Sequence, residues 1–128
     1  MTQIKVNAVI RNGDKILVVK TNKEDGGFWQ TITGTVAEGE NLLDTVKREV
    51  IEETGLELAE IKEKPVYYFT WEKGNDDVVE VVYSCKAEKN NVILSPEHTE
   101  YKWVSFEESL NIVGKENNKQ AILNAFSK

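Results

Sequence analysis

The chain is poor in the features that anchor, staple or export a protein. Among 128 residues there is one cysteine, Cys85, so no internal disulfide can form. A lone thiol suits a reducing compartment, and a cytoplasmic protein is expected, with Cys85 as a small buried strand residue. No apolar run approaches the roughly 18–20 residues that cross a bilayer, so no membrane partner is expected. The opening MTQIKVNAVIRNGDK lacks the charged start, long apolar core and small-residue cleavage site of a signal peptide. Lysine and arginine form no cluster, and the net charge is −6. That balance argues against binding extended nucleic acid, which needs basic surface to displace counterions from phosphates. Linkers, repeats and low-complexity tracts are also absent. What remains is 40% hydrophobic and 30% charged, the composition of one globular domain over residues 1–128.

Local patterns predict alternating strands and helices. Ile4–Ile10 and Lys15–Lys20 are β-rich runs separated by Asn12-Gly13-Asp14, a hairpin signal. Thr21–Gly27 is polar and ends in a glycine pair, as a loop does. Trp29–Val36 is a short strand-like run leading to a helix from Asn41 to Thr54. Ile61–Trp71 and Val78–Ala87 read as strands joined by a turn at Glu72–Asp77. In the second, Val79, Val81 and Tyr83 alternate with Glu80 and Val82, which predicts one wetter face carrying Glu80. Tyr101–Val104 is another strand. Ser105 caps a short helix through Leu110, and Glu116–Phe126 is amphipathic. Hairpins combined with a crossover predict an α/β fold, a mixed sheet between helical layers.

The chemistry concentrates in Gly34–Leu56, GTVAEGENLLDTVKREVIEETGL. Asn41 can cap the helix N-terminus, Gly55 can stop it in the left-handed conformation, and Leu43, Val46 and Val50 form an apolar stripe. Glu49, Glu52 and Glu53, three and four residues apart, are expected to share another face. Like charges at that spacing cost an isolated helix roughly 0.2–0.5 kcal/mol per pair. Carboxylates gathered in this way call for cations, and hard divalent ions take oxygen ligands. The competing reading is a solvated face with Asp44, Arg48 and Glu52 paired at i, i+4. It leaves Gly34 and Glu40 at their fixed distances unexplained.

The segment resembles the signature of the Nudix hydrolases: Gly, five spacers, Glu, seven spacers, then Arg-Glu-aliphatic-x-Glu-Glu-x-Gly-aliphatic. All nine specified positions are met within 23 residues. The resemblance implies an α/β/α sandwich and a Mg²⁺-dependent hydrolase, with Mn²⁺ as a substitute ion. It implies metal ligation by Glu49, Glu52 and Glu53 and approach of the Gly34 backbone carbonyl to the metal. Arg48 would hold a glutamate by a bidentate pair. Glu40 is open between a dipole-favoured carboxylate at the helix N-terminus and a structural role.

Further matches narrow the resemblance. Phe28-Trp29-Gln30, followed two residues later by Thr33-Gly34, is similar to the bacterial dihydroneopterin triphosphate pyrophosphatases, as are Glu97-His98 with Tyr101-Lys102-Trp103 and Asn118-Lys119-Gln120-Ala121-Ile122. This likeness implies that Glu97 completes the metal site, with Glu80 and Glu100 as alternative extra carboxylates. The general base is open between a box glutamate and one of these. Thr33, Trp29 and Gln30 become substrate contacts, with Lys20 the basic residue after the second strand. Trp29 is open between stacking on a ring and packing under the sheet, Trp103 is expected in the core, and His98 is expected to orient Glu97 or to lie in a loop. The same tryptophan-threonine-glycine variant, here Trp29, Thr33 and Gly34, is similar to that of (deoxy)nucleoside triphosphate pyrophosphohydrolases.

The expected activity is cleavage of dihydroneopterin triphosphate or a (deoxy)nucleoside triphosphate to monophosphate and pyrophosphate. Hydrolysis of a dinucleoside polyphosphate or nucleotide sugar is the alternative, and a catalytically silent nucleotide-sensing domain is the third reading. The expected partner is the small-molecule substrate, and the choice between monomer and homodimer is open.

Overall fold

The computed structural model describes residues 1–126; Ser127 and Lys128 lie outside the described residues. Strand β1 (Thr2–Asn12) is the spine of an eight-stranded sheet. It pairs antiparallel with β2 (Lys15–Thr21) and β4 (Ile32–Thr35) and parallel with β7 (Asp76–Lys86). The expected Asn12–Asp14 turn closes more tightly than the sequence suggests. Asn12 pairs with Lys15, and Gly13 takes the left-handed φ of 61° that a two-residue hairpin demands. The sheet is mixed, as expected.

Helices cover both faces. Along β1, Val6, Ala8 and Ile10 enter one apolar cluster with Val46 and Val50 of α1 (Leu42–Thr54), while Val9 enters a second cluster with Ala121, Ile122 and Ala125 of α3 (Glu116–Phe126). The period-two alternation of strand side chains feeds both layers from one strand. Val46 and Val50 are fully buried, each worth about 1.5–3 kcal/mol of apolar transfer. The α/β/α sandwich is therefore present. Among the described residues no helix is long and apolar enough to cross a membrane.

Three expected elements are redrawn. The run Trp29–Val36 divides into β3 (Trp29–Gln30), which pairs with β2, and β4, which pairs with β1. Between them the Thr31 N–H leaves the ladder and donates to the side chain of Asn118 at 3.1 Å. The run Ile61–Trp71 divides into β5 (Glu60–Ile61) and β6 (Tyr67–Lys73), both antiparallel to β7. Pro65 lies in the break, where a missing N–H cannot serve the ladder. The turn expected at Glu72–Asp77 shrinks to Gly74 and Asn75, because Lys73 already pairs with Asp76.

The faces of β7 are reversed from expectation over its first half. Val78, Glu80 and Val82 are buried and Val79 and Val81 only partly so, whereas Tyr83, on the face with Val79 and Val81, is buried as expected. The alternation was legible; the fold buries the face bearing the carboxylate because a cleft and α3 lie on that side. Strand β8 (His98–Val104) starts three residues earlier than Tyr101, and α2 (Phe106–Ile112) runs two residues past Leu110. Ser105 caps α2 as expected.

Candidate active site

The site begins with how α1 is fixed. The Asn41 side chain accepts from the Asp44 N–H at 2.8 Å, and Gly55, at φ 73°, donates its N–H to Ile51 at the other end. Both are the caps expected. Glu40, just before the helix, accepts from the Arg48 guanidinium twice, at 2.8 and 2.9 Å, from the Thr45 hydroxyl at 2.7 Å and from the Ala37 N–H at 3.1 Å. Arg48 and Thr45 hold its carboxyl down to about 2. The question over Glu40 resolves in favour of a structural clasp. Arg48 also donates to Glu49 at 2.8 Å, to Glu52 at 3.1 Å and to the Thr35 carbonyl at 3.1 Å. One arginine thus ties the helix to the end of β4, using the fork geometry that makes bidentate pairs specific.

The three box glutamates do not share one environment. Glu53 is 4% exposed, Glu49 is half-buried and Glu52 is exposed. Glu49 and Glu53, one turn apart, line the cleft, whereas Glu52 turns outward to Arg48. Glu49 lies against Gly34, where a Cβ would come within 2.6 Å of its Oε2 and closer to its Cγ and Cδ. Glycine at position 34 is what leaves room for that carboxylate.

Glu97, in the turn just before β8, and His98, the first residue of β8, reach the same place. A bulge between Lys20 and Thr21 sets His98 opposite Thr21, and the Asn22 N–H donates to the Glu97 carbonyl at 3.1 Å. The preceding loop is tied to the end of α1, with Ile93 N–H donating to Thr54 and Ser95 N–H to Glu53. Potential ligand atoms of Glu53, Glu97 and His98 consequently lie within 4.8 Å of one another. Burial, then the neighbouring Glu49 and Glu97, push the Glu53 carboxyl up to about 9, and burial pushes the His98 imidazole down. Burial also raises Glu49. Among the described residues, Glu53 Oε2 and His98 Nδ1 are buried with no hydrogen-bond partner. Buried polar atoms are normally satisfied, and this acidic pocket fits a divalent cation by its unspent donors as well as its charge.

Glu49, Glu53, Glu97 and His98 line a cleft of about 630 Å³. Thr33, Gly34, Gln30 and Trp29 line it, as do Phe28, Phe69 and Trp71. Trp29 lines the cleft and packs on the α3-side core, and the Lys102 ammonium lies 5.1 Å from its ring. Trp103 packs beside the other cluster and donates its indole N–H to Asn90. Lys20 is not among the lining residues; it pairs with Glu100 at 3.6 Å, on the exposed side of the β2–β8 ladder.

A family model for the Nudix domain matches residues 1–125. The chain is a Nudix hydrolase. It is similar to the dihydroneopterin triphosphate diphosphatase of Haemophilus influenzae, at 24% identity over 88% of this chain and 78% of that protein. The crystal structure of a MutT protein from Methanosarcina mazei superposes with a TM-score of 0.80 at 28% identity, covering 98% of this chain and 94% of that one. The dihydroneopterin triphosphate pyrophosphohydrolase of E. coli superposes with a TM-score of 0.73 at 24% identity, covering 93% and 91%. These likenesses place the fold.

Several cleft residues of this Nudix hydrolase escaped the sequence reading: Lys5, Asn7, Lys115 and Asn118 as lining groups, and His98 as a potential ligand. Asn7 carried a signal, a single amide inside the apolar run Val6–Ile10. The lysines carried none, since each is one cation among many.

Proposed function

We propose that this Nudix hydrolase cleaves dihydroneopterin triphosphate or a (deoxy)nucleoside triphosphate to the monophosphate and pyrophosphate, with Mg²⁺ bound and Mn²⁺ able to replace it. The observation that carries the reading is one cleft lined together by the carboxylate cluster, by aromatic rings and by lysines. Glu49, Glu53 and Glu97 would hold the ion, with the Gly34 carbonyl as a further candidate; Glu52, turned outward to Arg48, would join them only by leaving that pair. A bound divalent ion neutralises phosphoryl oxygens and acidifies water.

The chain's own residues account for the remaining requirements. Arg48 positions Glu49 from outside the cleft, so it acts without touching substrate. Lys5, Lys73 and Lys115 line the cleft and suit an anionic polyphosphate. Trp29 and Thr33 border the same space and offer a ring face and a hydroxyl. In the hydrolysis itself, the water oxygen bonds to phosphorus, the anhydride P–O bond breaks, and pyrophosphate departs with the electron pair. Glu97, the exposed member of the cluster, would take the water proton at a carboxylate oxygen.

The test is pyrophosphate and orthophosphate release with Mg²⁺ across dihydroneopterin triphosphate, the (deoxy)nucleoside triphosphates, diadenosine tetraphosphate and a nucleotide sugar, with Glu53→Gln as control. Pyrophosphate from a triphosphate, lost in the variant, supports the proposal. Preferential cleavage of the dinucleotide or the nucleotide sugar replaces it.

A further inference from the structure

The cleft contains a second buried carboxyl that the hydrolytic chemistry does not use. Glu80 of β7 is 6% exposed and lines the cleft. Among the described residues, no lysine or arginine forms an ion pair with it. Burial raises its carboxyl, and only neutral N–H groups bond to it directly. A carboxyl in that position is costly unless it is used.

Its hydrogen-bonding polarity is dictated by contacts that start at a backbone amide. The Thr31 N–H donates to Asn118 Oδ1 at 3.1 Å, so Asn118 Nδ2 is the atom that donates to Thr31 Oγ1, at 2.8 Å. The Thr31 hydroxyl hydrogen is then directed to Asn7 Oδ1 at 2.6 Å, and Asn7 Nδ2 donates to Glu80 Oε2 at 2.8 Å. At the other oxygen, the Trp71 indole N–H, which can only donate, reaches Oε1 at 3.2 Å. Neither a backbone N–H nor an indole can reverse its role; flipping Asn118 would set donor against donor at the Thr31 N–H, and flipping Asn7 would set its Oδ1 against the carboxylate, acceptor against acceptor. In this arrangement Glu80 accepts at both oxygens. An ionised carboxylate has about four acceptor positions, and two are filled by the protein.

We propose that Glu80 is the specificity-determining residue of the cleft, selecting a ring that carries an N–H beside an exocyclic amino group. That donor–donor edge is shared by guanine and the 2-amino-4-oxo pterins. Adenine and cytosine present an amino group beside a bare ring nitrogen, and uracil presents one N–H between two carbonyls, so each would set an acceptor against the carboxylate. Phe69 and Trp71 stand beside Glu80 as ring-sized walls. The inference rests on the triphosphate hydrolysis proposed above and names the ring which that reading leaves open.

Calorimetric titration of the intact protein with GMP, dihydroneopterin monophosphate, AMP and UMP tests it apart from turnover. Binding of GMP, the pterin or both is expected to exceed that of AMP by about 10- to 100-fold, the discrimination typical of a bidentate contact. The stronger of the two identifies the ring source. Glu80→Gln should remove the preference while leaving AMP binding within about twofold. Trp71→Phe, which deletes one competing N–H and keeps an aromatic wall, should preserve or increase the preference, and it decides the matter if Glu80→Gln does not fold. Equal binding of all four ligands by the wild type, a preference that survives Glu80→Gln, or its loss in Trp71→Phe overturns the assignment. Failure to hydrolyse any triphosphate, with the ring preference intact, would refute the proposed activity and leave the role of Glu80 standing.

Discussion

Replacing Glu53 by glutamine should stabilise the metal-free protein and abolish its activity. Glu53 is held protonated by burial and by Glu49 and Glu97, its pKa raised from 4.5 to about 9. A raised carboxyl favours the folded state fully below the unfolded pKa, and that advantage falls as pH rises from 4.5 through about 9. At pH 7.5 the unfolded chain releases a proton that the folded chain retains. At 1.36 kcal/mol per pH unit over three units, the loss is ~4 kcal/mol. Glutamine has no proton to release, so Glu53→Gln should match the wild type near pH 5 and exceed it at pH 7.5. For a chain of this size that is a Tm difference on the order of 10 °C. Thermal unfolding followed by circular dichroism in EDTA, at both pH values, measures it. With saturating Mg²⁺ the wild type alone should gain stability, and turnover of the variant should fall by several orders of magnitude. Parallel pH profiles for the two proteins, or a variant less stable than the wild type in EDTA at pH 7.5, would refute the account of Glu53.

Related consequences can be checked with modest effort. Binding of Mg²⁺ at pH 7.5 should release roughly one proton per ion, the one held by Glu53; calorimetry in buffers of different ionisation enthalpy measures the count. Gly34→Ala drives a methyl group into Glu49, and overpacking of this kind costs ~1–3 kcal/mol; a fall in Tm with weakened Mg²⁺ affinity is expected, and wild-type affinity would contradict the packing. Arg48→Ala should lower kcat by about 100-fold, with poor rescue by Arg48→Lys because a lysine cannot span Glu40, Glu49 and Glu52 as a fork. Lys20→Ala should leave KM within about twofold, since its partner Glu100 lies on the surface and such pairs contribute ~0–1 kcal/mol; a tenfold rise would put Lys20 at the substrate.

The helix and its chemistry were legible because their determinants are local. Asn41, Gly55 and the Val46–Val50 stripe are written within one element, and the spacing from Gly34 to Glu53 reports a helix packed on one strand end. Glu97 was reached only by resemblance, because its placement depends on a bulge in β2 and on a loop tied to the end of α1, contacts between residues far apart in sequence. The outward turn of Glu52 was not legible either: a helical wheel places it beside Glu49 and Glu53, and only the position of Arg48 draws it away. The reversal of β7 has the same origin. Alternation reports that a strand has two faces, and only the packing of α3 and the cleft says which one is covered. Asn7, Thr31 and Asn118 were invisible as a set, since residues on β1, between β3 and β4, and on α3 meet through tertiary structure alone.

The division of Ile61–Trp71 into β5 and β6 has a mechanical consequence. Among the described residues the later piece, β6, pairs with β7 alone; Tyr67 and Phe69 also pack on the α3-side cluster, and Trp71 lies beyond that packing. The carboxylate cluster is instead braced between α1, β4 and β8, elements tied at several points. Opening free energies vary across a fold, and a margin strand with one neighbour belongs to the lower end of that range. The Trp71 part of the wall can therefore loosen while the carboxylate cluster stays in place. A ring bound against it would act as a fastener for the margin of the sheet, so that substrate affinity and the local cohesion of β6 are two measures of one interaction.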